Sequence, residues 1–406
     1  MSATRVTIAS RIFPPEPGAA AYRLGSLARR LARHGAEVEV LTTTPPRGVP
    51  EGWGADGIRL RRWPVLRDRG GNVRGYLQYA SFDVPLLARL LLSRRPDVVV
   101  VEPPPTTGAV VRIVGALRRV PYAYYAGDIS STAAAGIGVP RPVVVALRAL
   151  ERWAMRGAAV VLTVSTGVAD DVRQLVGAGH RVVVVGTGVD TDTFRPLPHD
   201  GSTPTFVYAG TMSELQGAEV FVRAFGQIAA ERPDARLRMY GQGVQTGRLN
   251  QLADAVAPGQ VSFPGRVPGE VIAAELSRAS AGLASLRPGM GYDYAYPTKM
   301  FAVTACGTPV IYAGPGPGHE LVRAHGLGWA CTWSPDEVAE AMRAALRRTT
   351  SSEESDRLAA WTRASASQDS VADKAATAVL GAAAARGVNA PTGEDWTGSR
   401  PPRPSA

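Results

Sequence analysis

Short runs of β-branched residues alternate with helix-patterned stretches along nearly the whole chain, and that alternation constrains the fold more than any other feature. RVTIAS precedes a helical pattern from about Ala20 to His34, and EVEVLT, DVVVVE, PYAYY, AVVLTV and RVVVV follow, with helical patterns among them. Strands separated by helix-length segments pair in parallel through crossover helices, so the first half reads as one doubly wound α/β domain. From about Gly186 to Thr205, Gly, Pro and Asp break the pattern, which reads as an interdomain linker. A second series follows: TFVYAG, a helix from Ala218 to Arg232, RLRMYG, QVSFPG, a helix from about Pro268 to Ala279, GLASL, a helix at Lys299, PVIYAG and GWACTW. Ser334, Pro335 and Glu337 open another helix with the signature of a capping box. The expected organisation is a first Rossmann-like domain over 1–188, a linker over 189–204, a second Rossmann-like domain over 205–350, a C-terminal helical segment over 351–388 that is Ala/Ser-rich, of low complexity and read as one peripheral helix, and a disordered tail over 389–406.

Composition fits this architecture and narrows the function. With 406 residues, 45% of them hydrophobic and 20% charged, the chain is long enough for two ordinary cores. Its two cysteines, Cys306 and Cys331, supply neither a disulfide framework nor a metal cluster, and Cys306 reads as a buried thiol at an apolar helix end. The N-terminus runs straight into a strand pattern without a signal-peptide core, and no segment has the length of a membrane span, so a cytoplasmic protein is expected. The formal charge of +10 comes from arginines spread over many helices, with no aromatic–basic interleaving. No nucleic-acid partner is expected from this pattern, whereas attraction to an anionic membrane surface at the inner face, or to phosphorylated substrates, stays open.

Two open parallel sheets present their functional loops at strand C-terminal ends, so two facing domains make a cleft between the loop sets. Several loops fit a ligand there. RIFPPEPGAAAYR follows the first strand, and its Gly18, Ala19 and Ala20 let backbone come close to a ligand; it carries no G-x-G-x-x-G. AGTMSELQGAE places Gly210 and Gly217 around a second strand-to-helix turn, and YGQG, with Gly241 and Gly243, forms a third. Each of these equally fits a plain tight turn. Lys299 stands out more sharply, because only it and Lys374 are lysines among 45 basic residues. In YPTKMFAVTACGTPVIYAG, Thr298 is placed to cap a helix that Lys299 begins, and an ammonium at a helix N-terminus suits a phosphate. The alternative is a surface lysine. Asp190, Thr191 and Asp192 read as a linker turn rather than a metal motif, and His319 with Glu320 as a solvated helix start.

The order and spacing of these passages resemble the family-four glycosyltransferases of the GT-B fold across nearly all of residues 4–350. PPEPGAAAYRLGSLARRLARHGAEVEVLTT is similar to the start of that family's acceptor domain, and VGTGVDTDTFRP to its interdomain passage. VYAGTMSELQGAEVFVRAF, LRMYGQG, VSFPGRVP and PTKMFAVTACGTPVIYAG are similar to its donor-binding half. The resemblance implies two Rossmann-like domains facing across a cleft, with a nucleotide diphosphate sugar as co-substrate and no tightly held cofactor or metal. It implies transfer of the sugar, with retention, to an acceptor that could be a lipid-linked saccharide, an envelope polymer or a small metabolite.

Residue by residue, the resemblance places the donor base near Gly265, Arg266 and Val267, and the diphosphate at Pro297, Thr298 and Lys299. The loop of Gly210, Thr211, Gln216 and Gly217, with Gly241 and Gly243, completes the donor side. Glu16, Gly18, Ala19 and Arg23 form the acceptor-side loop. Lys299 and Asp128 are the catalytic candidates, Asp128 facing the reacting sugar in this reading and forming an Asx-turn or helix cap in the plainer one. The sequence departs from the family twice. Thr211 and Gln216 stand where members often carry a basic pair, so Lys299 becomes the source of charge. Tyr294 and Ala302 stand where members carry two glutamates, the second of which takes the ribose hydroxyls; Asp293 is the nearest carboxylate. These departures keep two alternatives open, a nucleotide-sugar epimerase on the same fold and a non-catalytic binding or scaffold subunit.

Overall fold

The computed structural model describes residues 3–16, 18–46, 53–54, 57–68, 71, 73, 75–136, 139–199, 203–290, 293, 295–348 and 351–385. The first half contains β1 (Arg5–Ala9), α1 (Ala19–Arg33), β2 (Glu37–Thr43), β3 (Ile58–Trp63), α2 (Tyr76–Leu92), β4 (Val98–Val101) and α3 (Pro105–Arg118). It continues with β5 (Tyr122–Ala126), α4 (Ser130–Gly136), α5 (Arg141–Arg156), β6 (Val160–Thr163), α6 (Thr166–Val176) and β7 (Val182–Val184). These strands form one parallel sheet of seven in the order β3-β2-β1-β4-β5-β6-β7. The order reverses direction beside β1, as a doubly wound sheet requires.

The second sheet has six parallel strands. Its elements are β8 (Thr203–Ala209), α7 (Glu219–Ile228), β9 (Arg236–Tyr240), α8 (Thr246–Val256), β10 (Val261–Gly265), α9 (Gly269–Ser277) and β11 (Ala279–Ser285). Then come α10 (Lys299–Ala305), β12 (Val310–Ala313), α11 (Pro317–Ala324), β13 (Gly328–Cys331) and α12 (Pro335–Arg347), with strand order β10-β9-β8-β11-β12-β13. Two further helices close the described chain, α13 (Ser352–Ser365) and α14 (Gln368–Ala384).

Each sheet is covered on both faces, which explains why its central strands are runs of buried apolar residues rather than alternating ones. All four valines of β4 are buried. In α1, Ala21, Leu24, Leu27, Ala28 and Leu31 recur at helical spacing and pack, with α14, on one face of the first sheet. The other face takes α2, α3, α5 and α6. The second sheet lies between α7, α8 and α12 on one side and α9, α10, α11 and α13 on the other.

Two expectations need correction here. The C-terminal segment is two helices rather than one, and it is not peripheral to the first domain: Ala375, Ala376 and Val379 of α14 are fully buried against the first sheet. Lys374 itself is exposed. The chain therefore crosses between the two sheets twice, and the crossings run side by side. Val189 N–H donates to the Ala366 carbonyl at 2.9 Å, and Gln368 N–H to that of Val189 at 2.8 Å. The capping box at α12 also differs from expectation. The Ser334 side chain makes no capping bond, and Glu337 instead accepts from Thr332 N–H at 2.8 Å and its hydroxyl at 2.7 Å. The proposed tail lies outside the described residues.

Candidate active site

A cleft of about 830 Å3 opens between the two domains, with α1 and the first chain crossing on one wall and loops of the second sheet on the other. Lys299 begins α10 on the second wall. Its ammonium donates to the Tyr208 hydroxyl at 3.1 Å and to Gln216 Oε1, and it lies 4.7 Å from the centre of the Tyr208 ring. The Tyr208 hydroxyl in turn donates to the Thr211 carbonyl at 2.8 Å. Burial lowers the Lys299 pKa to about 7 from an ordinary 10.5. No carboxylate partners it among the described residues.

This arrangement depends on glycine at 210. A Cβ there would sit 2.8 Å from Lys299 Cε, so any side chain would displace the lysine. Gly241 supports the same loop from behind: with φ of 116°, its missing Cβ would lie 2.0 Å from the Gly210 carbonyl oxygen. Ser285 Oγ donates to the Gln216 carbonyl at 2.6 Å, and Arg287 N–H to that of Leu215 at 3.0 Å, which fixes the far end of the loop.

The helix start differs from the sequence expectation. Thr298 has helical backbone itself and its side chain makes no capping bond. The amides of Met300 and Phe301 turn back onto the carbonyls of Pro297 and Thr298 at 3.1 Å each. Two of the first-turn donors are thus engaged internally, and the charge of Lys299 is the stronger feature for an anion.

On the opposite wall stand Ala19, Tyr22, Arg23, Ser26 and Arg29 of α1. Arg23 lies over the Tyr125 ring at 4.9 Å and pairs with Glu102 at 3.5 Å. Glu102 is itself buried and accepts from Ser10 Oγ at 2.8 Å; burial raises its pKa, with Arg23, Ser10 and Arg11 opposing. The only carboxylate on the described lining is Asp190, and it is engaged by Asp192 N–H at 3.0 Å and Thr193 Oγ1 at 2.8 Å. That is the turn read from the sequence. With Arg23, Arg29 and Lys299 against Asp190, the cleft is cationic.

Of the sequence candidates, Ala19, Arg23, Gly210, Thr211, Gln216, Val267, Pro297, Thr298 and Lys299 line this one cleft. The others do not. Glu16 is buried in a two-pronged ion pair with Arg67, at 3.0 and 2.7 Å, and accepts from Thr43 Oγ1 at 3.0 Å, so it ties the first loop to β2. Gly18 precedes α1 outside the lining, and the Gly217 carbonyl accepts from Trp333 Nε1 at 3.0 Å. Gly241 and Gly243 lie behind the lining loop, Gly265 ends β10, and Arg266 is exposed. Asp128 also falls outside the lining. It follows β5, its side chain reaches solvent, and its surroundings raise its pKa while Arg23 opposes. The loop after it is anchored by Glu151, which is fully buried and accepts from the amides of Ser130 at 2.7 Å and Ser131 at 3.1 Å and from Ser131 Oγ at 2.6 Å.

Ala302 lines the cleft one turn beyond Lys299, whereas Tyr294 lies outside the described residues. Asp293 accepts from Gly289 N–H at 3.2 Å and is not on the lining. His319 sits in the first turn of α11, half-buried, with Glu320 exposed. Among the described residues no three His, Cys, Asp or Glu side chains gather as a metal set. The sequence reading missed Tyr208, which looks like core in a hydrophobic strand, and Gln368, which reaches the cleft only through the return of α14.

Residues 18–188 match the Glycosyl transferase 4-like domain, and residues 203–348 match Glycosyl transferases group 1. No curated protein gives a significant match to the sequence. Among solved structures, sucrose-phosphate synthase from Thermosynechococcus elongatus is similar in fold, with a TM-score of 0.69 and 18% identity over 94% of this chain and 100% of that one. Anabaena HepE in complex with UDP has a TM-score of 0.68 and 14% identity over 93% of this chain and 100% of that one. WaaG, a glycosyltransferase involved in lipopolysaccharide biosynthesis, has a TM-score of 0.66 and 15% identity over 93% of this chain and 100% of that one. With both halves matched in order and the two parallel sheets in place, the chain belongs to the GT-B glycosyltransferases that join a glycosyl transferase 4-like domain to a group 1 domain.

Proposed function

We propose that the protein moves a sugar from a nucleoside diphosphate sugar, held by residues 205–350, to an acceptor presented by residues 1–188, with retention at the anomeric carbon and without a bound metal. The observation that carries this reading is Lys299. An ammonium with no carboxylate partner among the described residues faces a cationic cleft from beneath a glycine loop, at the place where the expected loop base is replaced by Gln216. A diphosphate there supplies the missing opposite charge and returns the lysine to its protonated form. As the sugar–phosphate bond breaks, negative charge grows on the leaving oxygen, and Lys299 stabilises it in a site partly closed to water. The departing diphosphate accepts the proton of the incoming hydroxyl on the same face, so no protein nucleophile is needed. Asp128 lies outside the cleft lining, so the support it gives to positive charge on the sugar acts through space, past Arg23. Structures of HepE with UDP and with UDP-glucose support a nucleotide sugar as donor.

Ala302 favours a second reading. It places a methyl where the family resemblance expects the carboxylate for the ribose hydroxyls, which fits a subunit that binds without transferring. A thermal-shift panel of UDP, GDP and dTDP with their sugars separates the readings. A ligand at a hundred times its dissociation constant stabilises the protein by about 2.7 kcal/mol. No shift at millimolar concentration overturns the donor site altogether. Binding without transfer to any glycan or lipid acceptor favours the scaffold, and a changed sugar with no acceptor present marks an epimerase.

A further inference from the structure

The helices α2, α3 and α5 form one outer layer of the first domain, packed on the same face of its sheet with α3 in the middle. The outward side of this layer is apolar to an unusual degree. On α2, Leu77, Val84, Leu87 and Leu91 recur at steps of seven, three and four residues and make a stripe opposite the buried Phe82, Leu86 and Leu90; Leu77 is 73% exposed and Val84 71%. Leu92 extends the stripe at 87%. Ile113 and Leu117 continue the surface on α3, and Val145 and Trp153 on α5. Single exposed apolar residues are ordinary, whereas a gathered set marks an interaction surface. In the second domain the described large apolar residues left exposed are only Val244, Val271 and Met290.

The charge on the same layer selects the partner. The three helices carry seven arginines against two carboxylates, Asp83 and Glu151, both of them buried. Arg141, Arg148 and Arg152 are exposed on α5, and the Arg112 guanidinium lies 4.3 Å from the centre of the Trp153 ring. A second copy docked by a two-fold axis through α5 would set arginine against arginine, so charge opposes a dimer centred on that helix. An anionic bilayer meets both properties at once, the leucines entering the headgroup boundary and the arginines resting on phosphates.

We propose that the α2–α3–α5 layer docks on bilayers carrying anionic headgroups, and that the acceptor is drawn from that bilayer. The docking stands independently of the transfer reading; the acceptor clause rests on it. The N-terminal end of α2 adjoins the loop that leads to the cleft wall, since Arg11, between β1 and α1, lies over the Tyr79 ring at 4.2 Å. Arg11 and Arg23 both act on the Glu102 carboxylate, which sets this edge beside the acceptor-side wall.

Flotation of the full chain with vesicles tests this, comparing phosphatidylcholine alone with phosphatidylcholine containing about one-third phosphatidylglycerol. The protein should float with the anionic vesicles, and Leu87→Glu with Leu91→Glu should lower partition by at least about tenfold. Arg148→Gln with Arg152→Gln should lower it by roughly fivefold per arginine at low salt. Donor-induced thermal shifts should match wild type in both variants, which separates failure of docking from failure of the donor site. No flotation, equal flotation with neutral vesicles, or self-association abolished by the same leucine variants would overturn the proposal.

Discussion

Lys299 occupies a position that favours its charge poorly until an anion arrives, and this makes its protonation a sensitive reporter. Lys299→Ala should fold and lose donor affinity by about 1.5–3 kcal/mol, the worth of a charge-assisted hydrogen bond. Lys299→Arg should recover only part of this, since the packing of Gly210 on Lys299 Cε leaves little room for a planar guanidinium. Stability should respond to pH in a defined direction. Between the folded pKa of about 7 and the ordinary 10.5, the unfolded chain holds the proton and the folded one does not, so stability rises with pH across that window. Lys299→Met removes that penalty. Its protein should be more stable at and below neutral pH, by on the order of 1–2 kcal/mol once partial solvent contact is allowed for, and the gain should vanish as pH approaches the ordinary lysine value. Denaturant titrations at several pH values check this; a pH-independent difference would contradict it. At this scale the sequence exposed Lys299 through composition, because arginine replaces lysine nearly everywhere else. It could not expose Tyr208 or Gln368, whose roles come from what the fold sets beside them.

Secondary elements were the most legible level, because parallel strands covered on both faces must be continuous apolar runs. β4, β5, β8 and β12 follow that rule. β3 escaped notice because it is an edge strand with alternating exposure and three arginines in six residues, a pattern that reads as surface. α14 was misjudged for a related reason. Its alanines look like low complexity until Val371, Ala375, Ala376 and Val379 are seen to share one buried face. A single side chain also governs how α4 begins. Glu151 satisfies three donors at the turn after Asp128, so Glu151→Ala should cost roughly 2–4 kcal/mol by leaving buried amides without acceptors. It should also lower turnover more than donor affinity, because the loop it releases belongs to the acceptor side. Chemical denaturation and steady-state kinetics read the two effects separately.

The whole molecule is held together by a chain that crosses between domains twice, and the second crossing completes the first domain's core. Ala376→Asp should therefore unfold the first domain or cost more than about 3 kcal/mol, since it buries an unpaired carboxylate among apolar side chains. A peripheral helix would tolerate the change; Lys374→Ala, two residues away on the exposed side, should be silent. The cleft between the domains was legible as a consequence of facing sheets, but its charge balance was not, since Glu16 is consumed by Arg67 and Asp190 by its own turn. What remains is a cationic groove whose second-domain charge is Lys299. Calorimetric titration of UDP-glucose and the corresponding GDP and dTDP sugars, into wild type and Lys299→Ala, tests the central claim most directly. The account predicts that one donor binds wild type, that its affinity weakens by about tenfold per pH unit above about 7, the pKa of Lys299 before the donor binds, and that Lys299→Ala loses both the affinity and the pH dependence. Equal binding and equal pH dependence in the two proteins would contradict it.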